Sequence, residues 1–324
     1  MANIEKLQYE YFSSVQQRKV EWLWYPYIPY GKLTIVQGDP GEGKSTFMLN
    51  IAALLTKGRP MPDGYPVSGV QQVVYQTAED NIADTVKPRL IQAGADCNQI
   101  AYIVDEEATL TLNDERIEEI LKQTGARLLI LDPLQAYVSQ SADIFNAGRM
   151  RQQMKRLADM AAEFKCAVVI IGHMNKGSGE KNLYRGLGSI DIAAIARSVL
   201  MISRDRTEPE LRYMYPIKSS LAPMGKPVAF RIEPKRGIEW LCENEIDRRR
   251  IMEGIAFESK RALCRRVLIE MLINQDVPSK DIIVKMKYMG ISERTSNSVK
   301  KELGISSYKR NEIWYWHLDG QEYM

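Results

Sequence analysis

The chain has 324 residues and a mass of 37.0 kDa, enough for one large α/β domain with a small appendix or for two mid-sized domains. Its 45% hydrophobic and 26% charged residues exclude a disordered, collagen-like or purely coiled-coil chain. The net charge of +3 is concentrated in residues 258–324, where 12 Lys and Arg face 9 Asp and Glu; the remainder balances at 32 against 32. A modestly basic tail permits nucleic-acid contact without requiring it.

Glu5, Lys6, Glu10, Arg18, Lys19 and Glu21 interrupt the first residues, and no later apolar run approaches a membrane span, so a cytoplasmic location is expected. Cys97, Cys166, Cys242 and Cys264 lie far apart with no C-x-x-C, which reads as reduced thiols rather than a zinc site or a disulfide framework.

After the aromatic lead-in at 22–27, Leu33 to Gln37 reads as a short buried strand entering a glycine-rich turn. Phe47, Met48, Ile51, Leu54 and Leu55 then recur at helical spacing, and Gly58 with Pro60 ends the helix. Four further apolar runs, 72–76, 128–131, 168–171 and 199–202, read as central strands. Between them, Asn113 is expected to cap a helix carrying Ile117, Ile120 and Leu121, with Gly125 as its stop. Met150, Met154, Leu157, Ala161 and Phe164 form a second stripe. Strands alternating with helices predict an α/β fold with a mostly parallel central sheet and a nucleotide site beyond the strands' C-terminal ends.

Residues 211–217 and 227–232 read as hairpin strands at the sheet's edge. The expected domains are 1–242, a linker at 243–257, and a compact unit at 258–324. In that last unit a helix from Lys260 to Ile273, another opening at Pro278, a third capped by Ser292, and a two-stranded ribbon over 308–318 spell a winged helix.

The sharpest signal is Gly38-Asp-Pro40-Gly41-Glu42-Gly43-Lys44-Ser45-Thr46, which matches G-x-x-x-x-G-K-[ST] between a strand and a helix. There, backbone N–H groups and a helix N-terminus suit a β-phosphate, the Lys44 ammonium suits the β/γ oxygens, and the Ser45 hydroxyl suits Mg²⁺. Asp132, ending the strand Leu128-Leu-Ile-Leu, is the expected second magnesium-positioning group. Residue 133 is Pro, so the carboxylate that activates water must come from another strand, and Glu79 is favoured over Asp80. The competing reading has both acids merely capping the helix after Asn81. His173, at the end of the 168–171 strand, is placed to meet the γ-phosphate or the lytic water.

These residues, with Thr77 to Asn81, Gly172 to Lys176, and Tyr184 to Asp191 running on to Ala196-Arg197-Ser198, resemble the RecA-like hexameric ATPases. Within them the resemblance is to the RepA-like plasmid replicative helicases and AAA_25-type proteins of phages and mobile elements, over residues 20–235. It implies ATP and Mg²⁺ as ligands, Glu79 as catalytic carboxylate, His173 as γ-phosphate sensor, and Arg197 as an arginine finger offered to the neighbouring subunit. Lys218 is a second candidate in trans. It also implies a hexameric ring around single-stranded DNA, touched by loops over 137–149 and 175–190, where Lys176, Lys181 and Arg185 could track phosphates. In the tail, Thr295, Val299 and Leu303 are expected on one helix face. Arg294, Asn297 and Lys301 fall opposite, with Lys309 and Arg310 on the wing; that surface suits DNA or a partner protein.

The reading these residues and the resemblance favour is an ATP-driven hexameric helicase or translocase on single-stranded DNA, in replication of a plasmid, phage or integrative element; the alternatives are a DNA-stimulated ATPase in recombination, repair or defence that does not unwind, and a DNA-docked regulator that uses ATP only as a ligand, against which Glu79 speaks.

Overall fold

The structure, a computed structural model, describes residues 9–104, 110–138, 147–173, 194–205, 208–233, 237–241, 260–273, 275–288 and 291–318. The chain divides into two compact units, Met1–Gly254 and Ile255–Met324.

In the first unit, β1 (Trp22–Trp24) and β2 (Ile28–Pro29) form a small antiparallel pair that leads into β3 (Leu33–Gly38). The central sheet continues with β4 (Val73–Thr77), β5 (Ile100–Ala101), β6 (Leu128–Asp132), β7 (Ala167–His173), β8 (Ser198–Arg204), β9 (Leu211–Ser219), β10 (Val228–Glu233) and β11 (Gly237–Trp240). Their spatial order is β11-β10-β9-β8-β3-β7-β6-β4-β5. The run from β8 to β5 is parallel, and β9, β10 and β11 extend it antiparallel. The mostly parallel α/β expectation is met. The edge is longer than the sequence reading had it, because β11 follows the hairpin.

Alternate strand residues feed two cores, as a sheet covered on both faces requires. Val36, Leu128, Ile130 and Val169 pack with α1 (Lys44–Thr56), α2 (Lys87–Gln92) and the lead-in aromatics Trp24 and Tyr27. Ile35, Leu129, Leu131 and Val168 pack with α3 (Glu115–Thr124) and α4 (Ala147–Glu163). Each such side chain contributes about 1.5–3 kcal/mol when fully buried. Helix α1 is enclosed on most of its circumference, with ten of its thirteen residues buried, rather than along a single stripe. Asp114, not Asn113, caps α3: its carboxylate accepts from the Arg116 N–H, and Gly125 ends the helix in a left-handed conformation as expected.

The second unit contains α5 (Lys260–Leu272), β12 (Val277–Pro278), α6 (Ser279–Tyr288), α7 (Glu293–Glu302), β13 (Ser306–Arg310) and β14 (Ile313–His317). Ser292 caps α7 through the Thr295 N–H. The expected two-stranded ribbon is part of a three-stranded sheet, since β12 pairs with β14. The buried face of α7 consists of Ser296 and Val299, continued by Leu303 just past the helix; Thr295, expected there, is only half-buried. The Ser296 hydroxyl resolves the conflict by donating to the Ser292 carbonyl, which allows a small polar residue inside. The expected linker at 243–257 lies outside the described residues. No helix among the described residues is long and apolar enough to cross a membrane.

Candidate nucleotide site

Four parallel strands bring the predicted residues to one edge of the sheet. Register pairs Gly38 with His173 across β3 and β7, and Thr77 with Asp132 across β4 and β6. The phosphate loop, the acid of β6 and the Thr77–Asn81 step are thereby assembled from segments far apart in sequence.

The loop runs from Gly38 to Gly43, and α1 begins at Lys44. Gly43 has φ +88°, so glycine is required there by backbone conformation. Gly38 is required by space, because a Cβ would stand 2.3 Å from the Ile202 carbonyl oxygen. Lys44 is only 4% exposed, and its Nζ donates to the carbonyls of Gly38 and Asp39, both at 2.9 Å. Burial lowers its pKa, while Asp132, Glu42, Asp39 and Glu79 act in the opposite direction. Ser45 and Thr46 follow in the first turn, half-buried, and Pro40 is exposed on the loop.

Asp132 is 5% exposed and accepts from the Tyr75 hydroxyl at 2.7 Å. Burial raises its pKa against side-chain hydrogen bonds from Ser45 and Tyr75 that favour the ionised form. The Ser45 and Asp132 oxygens thus adjoin each other at the foot of the loop, an all-oxygen pair of the kind a hard divalent cation takes.

The two acids after β4 are separated in role by their partners. Asp80 is ion-paired with Arg89, at 2.8 Å. Asn81 itself supplies the cap to the next turn, accepting from the N–H groups of Ala83 and Asp84. Glu79 is exposed, and its charge acts on Lys44 and Asp132. His173 closes β7 at the level of Gly38, and its side chain lies outside the described residues.

Arg197 and Lys218 lie elsewhere. The Arg197 N–H donates to the carbonyl of Leu33, at the start of β3, and Lys218 Nζ donates to the carbonyls of Ala194 and Ala196 at 3.1 and 2.8 Å. Both therefore occupy the edge from which β3 and β8 begin. Gly38 is five residues further along β3, roughly 17 Å away at the rise of a parallel strand. An arginine at Arg197 cannot span that distance to its own phosphate loop.

Lys176, Lys181, Arg185 and the greater part of the 137–149 loop lie outside the described residues; Tyr137, at the loop's start, is buried. In the second unit Arg294, Asn297 and Lys301 are exposed on α7, and Arg310 is exposed on β13. Lys309 pairs with Glu312 at 2.6 Å.

Three site residues escaped the sequence reading. Tyr75 sits inside a strand that looked wholly structural. Arg204 donates through Nη2 to the Gly41 carbonyl at 2.8 Å, and Arg212 through Nε to the Glu42 carbonyl at 3.1 Å. These arginines belong to the end of β8 and the start of β9, and only the antiparallel pairing of those strands brings both against the loop. The polar handle of Tyr75 in an apolar run was the one signal available in the sequence. Glu42, between the arginines, has its pKa raised by burial, with the Arg204 charge opposing.

A mostly parallel sheet, a glycine loop opening a helix at its C-terminal edge, and a buried acid on a nearby strand together define a RecA-like P-loop ATPase. The chain belongs to the AAA_25 family of AAA domains, whose model matches residues 3–179. It is similar to the DNA repair protein RadA of Halalkalibacterium halodurans, 24% identical over 45% of this chain and 28% of that protein. It is also similar to RadA of Synechocystis sp., 27% identical over 45% of this chain and 29% of that protein, and to RadA of Streptococcus pneumoniae, 26% identical over 45% and 31%. The chain thus spans under a third of the length of these curated relatives. The crystal structure of the RadB recombinase superposes with a TM-score of 0.48 at 18% identity, covering 67% of this chain and 93% of that one.

Proposed function

We propose that the chain is an ATP-hydrolysing motor that assembles head to tail, as a hexameric ring, and moves along single-stranded DNA to unwind duplex during replication of a plasmid, phage or integrative element. The observation that carries this reading is the placement of the phosphate loop and Arg197 at opposite edges of one sheet. A single copy cannot bring them together, whereas copies stacked head to tail can.

In this reading the N–H groups of Gly41 to Ser45 hold the β-phosphate and Lys44 leaves its two carbonyl partners for the β/γ oxygens. Glu79 takes the proton of a water whose oxygen attacks the γ-phosphorus; the bond to the β,γ-bridging oxygen breaks, giving ADP and phosphate. Ser45, and Asp132 through water, would hold Mg²⁺, which when bound neutralises charge on the β- and γ-oxygens. His173 senses the γ-phosphate. Arg197 of the adjacent copy, with Lys218 beside it, stabilises the charge of the transition state. Lys176, Lys181 and Arg185 track the DNA strand. Residues 258–324 act as a winged helix, with Arg294, Asn297, Lys301, Lys309 and Arg310 toward DNA or a replication partner.

The test is complementation between two inactive variants. Arg197→Ala keeps the cradle and Lys44→Ala keeps the finger, so each alone is expected to lose about 10³- to 10⁵-fold in turnover. Mixing them restores seams with both parts, and hydrolysis is expected to recover to a fraction of wild type. Full activity of Arg197→Ala alone, or no recovery on mixing, removes the trans assignment.

The similarity to RadA proteins favours a second reading, a DNA-stimulated ATPase of repair or recombination that does not unwind. Strand displacement on a forked duplex separates the two: displacement lost with Lys44→Ala supports the motor, and DNA-stimulated hydrolysis without displacement supports the alternative.

A further inference from the structure

Near the tip of the β13–β14 ribbon Trp314 is 53% exposed, and Ile313 beside it 48%. Arg310 pairs with Ile313, so the turn between the strands consists of Asn311 and Glu312, which take φ +47° and +64° to close it. Side chains alternate along a strand, so Trp314 and Trp316 share one face of β14. Trp316 is buried in the core of the unit with Ile282 and Val299, whereas Trp314, nearer the turn on that face, stands largely in water.

The opposite face of the ribbon is fastened to the body of the unit. Tyr308 Oη donates to Asp276 Oδ2 at 2.5 Å, His317 Nδ1 lies 2.6 Å from Asp276 Oδ1, and the Tyr308 and Tyr315 rings stack at 5.8 Å. The ribbon therefore holds Trp314 in a preorganised position. Cations flank the indole. Lys309 stands directly opposite Trp314 in the ladder, where Cβ atoms lie about 4.5–5.5 Å apart. Lys300, on α7, donates to the Ser307 hydroxyl and holds its Nζ 4.5 Å from the centre of the Trp316 ring, toward the face the two tryptophans share. Glu312 pairs with Lys309 at 2.6 Å, but its side chain is 90% exposed, so the pair is weak and yields readily to a phosphate.

We infer that Trp314 is a stacking platform for an unpaired base of single-stranded DNA, with Lys309 and Lys300 on the flanking phosphates. The inference rests on the reading above that residues 258–324 meet DNA, and it names the form of DNA they take. In a duplex both faces of each base are covered by its neighbours, so a groove offers the indole only sugar and phosphate. A single strand offers the faces themselves, and any of the four bases serves. The two ammonium groups beside the indole complement a polyanion, and phosphate contacts of this kind bind without reading sequence. A protein partner would use the apolar area of Trp314 and Ile313, and leucine would serve it nearly as well as tryptophan.

The test is fluorescence anisotropy with the full chain, without nucleotide, on a labelled single strand and on a blunt duplex of the same sequence. Trp314→Ala is expected to raise the Kd for the single strand by about tenfold or more and that for the duplex by less than about twofold. Trp314→Phe should restore most of the loss and Trp314→Leu none of it. Trp314→Ala should leave the salt slope of single-strand binding unchanged, whereas Lys309→Ala should reduce it by about one. An unfolding temperature equal to wild type confirms that each variant is folded, since Trp314 lies outside the core. Wild-type affinity of Trp314→Ala for the single strand, equal loss on both forms of DNA, or rescue by leucine overturns the inference. If Lys309→Ala and Arg310→Ala still weaken DNA binding in that case, residues 258–324 keep their DNA-facing role and only the stacking fails. If none of the three substitutions changes affinity for either form, that role fails as well.

Discussion

Asp132 is held in a conflict between solvation and use. Its raised pKa means that the folded chain holds the proton more tightly than the unfolded chain does, so the stability it contributes is present at acid pH and is lost as pH rises through the folded value. At neutral pH the ionised carboxyl is a cost. Asp132→Asn keeps an oxygen for Tyr75 and removes that charge; thermal unfolding at pH 7 should occur at the wild-type temperature or above, while ATP turnover falls by 10²-fold or more. The pair after β4 gives a sharper contrast. Glu79→Gln should suppress turnover and leave nucleotide binding intact, whereas Asp80→Asn, which breaks the ion pair with Arg89, should lower turnover only slightly; equal losses would point to a structural role for both. Cys166, completely buried with its pKa pushed up to about 12, should resist thiol reagents at pH 8 until the protein unfolds.

At the level of elements, β3, β4, β6, β7, β8 and α1 were legible because each combines an apolar run with a local punctuation mark: a glycine turn, a terminal acid, a stop. The phosphate loop was legible for the same reason, its chemistry being contiguous in sequence. β5 and β12 were not, since two residues give no periodicity. Nor were the contacts of Arg204 and Arg212, which depend on register between β8 and β9 rather than on any local pattern. Asn113 was mistaken for a cap because both it and Asp114 have the right chemistry, and backbone conformation alone chooses between adjacent candidates. The arginine contacts have a measurable role. Arg212→Lys cannot keep the paired donations to the Glu42 and Glu210 carbonyls, so the Kd for ATP should rise several-fold with little change in the melting temperature. A collapse of stability in place of weaker binding would make Arg212 a packing residue only.

Among the described residues there are three apolar cores, two in the first unit and one, around Leu268, Ile282, Val299 and Trp316, in the second. A chain ending at Gly254 should therefore fold and bind ATP, as read by circular dichroism and by fluorescent nucleotide titration. If residues 258–324 grip phosphates as proposed, the same truncation should flatten the salt dependence of duplex affinity. Strand β9 spans the larger unit from one working edge to the other. At its beginning Arg212 grasps the carbonyl of Glu42, and near its end Lys218 is fastened beside Arg197. If copies assemble head to tail as proposed, one end of β9 touches the phosphate loop and the other faces the next copy. Movement of the loop on nucleotide binding would then be relayed along the strand, so successive sites would fire in order rather than at random, and cutting the tie at Arg212 should drive the Hill coefficient for ATP toward one.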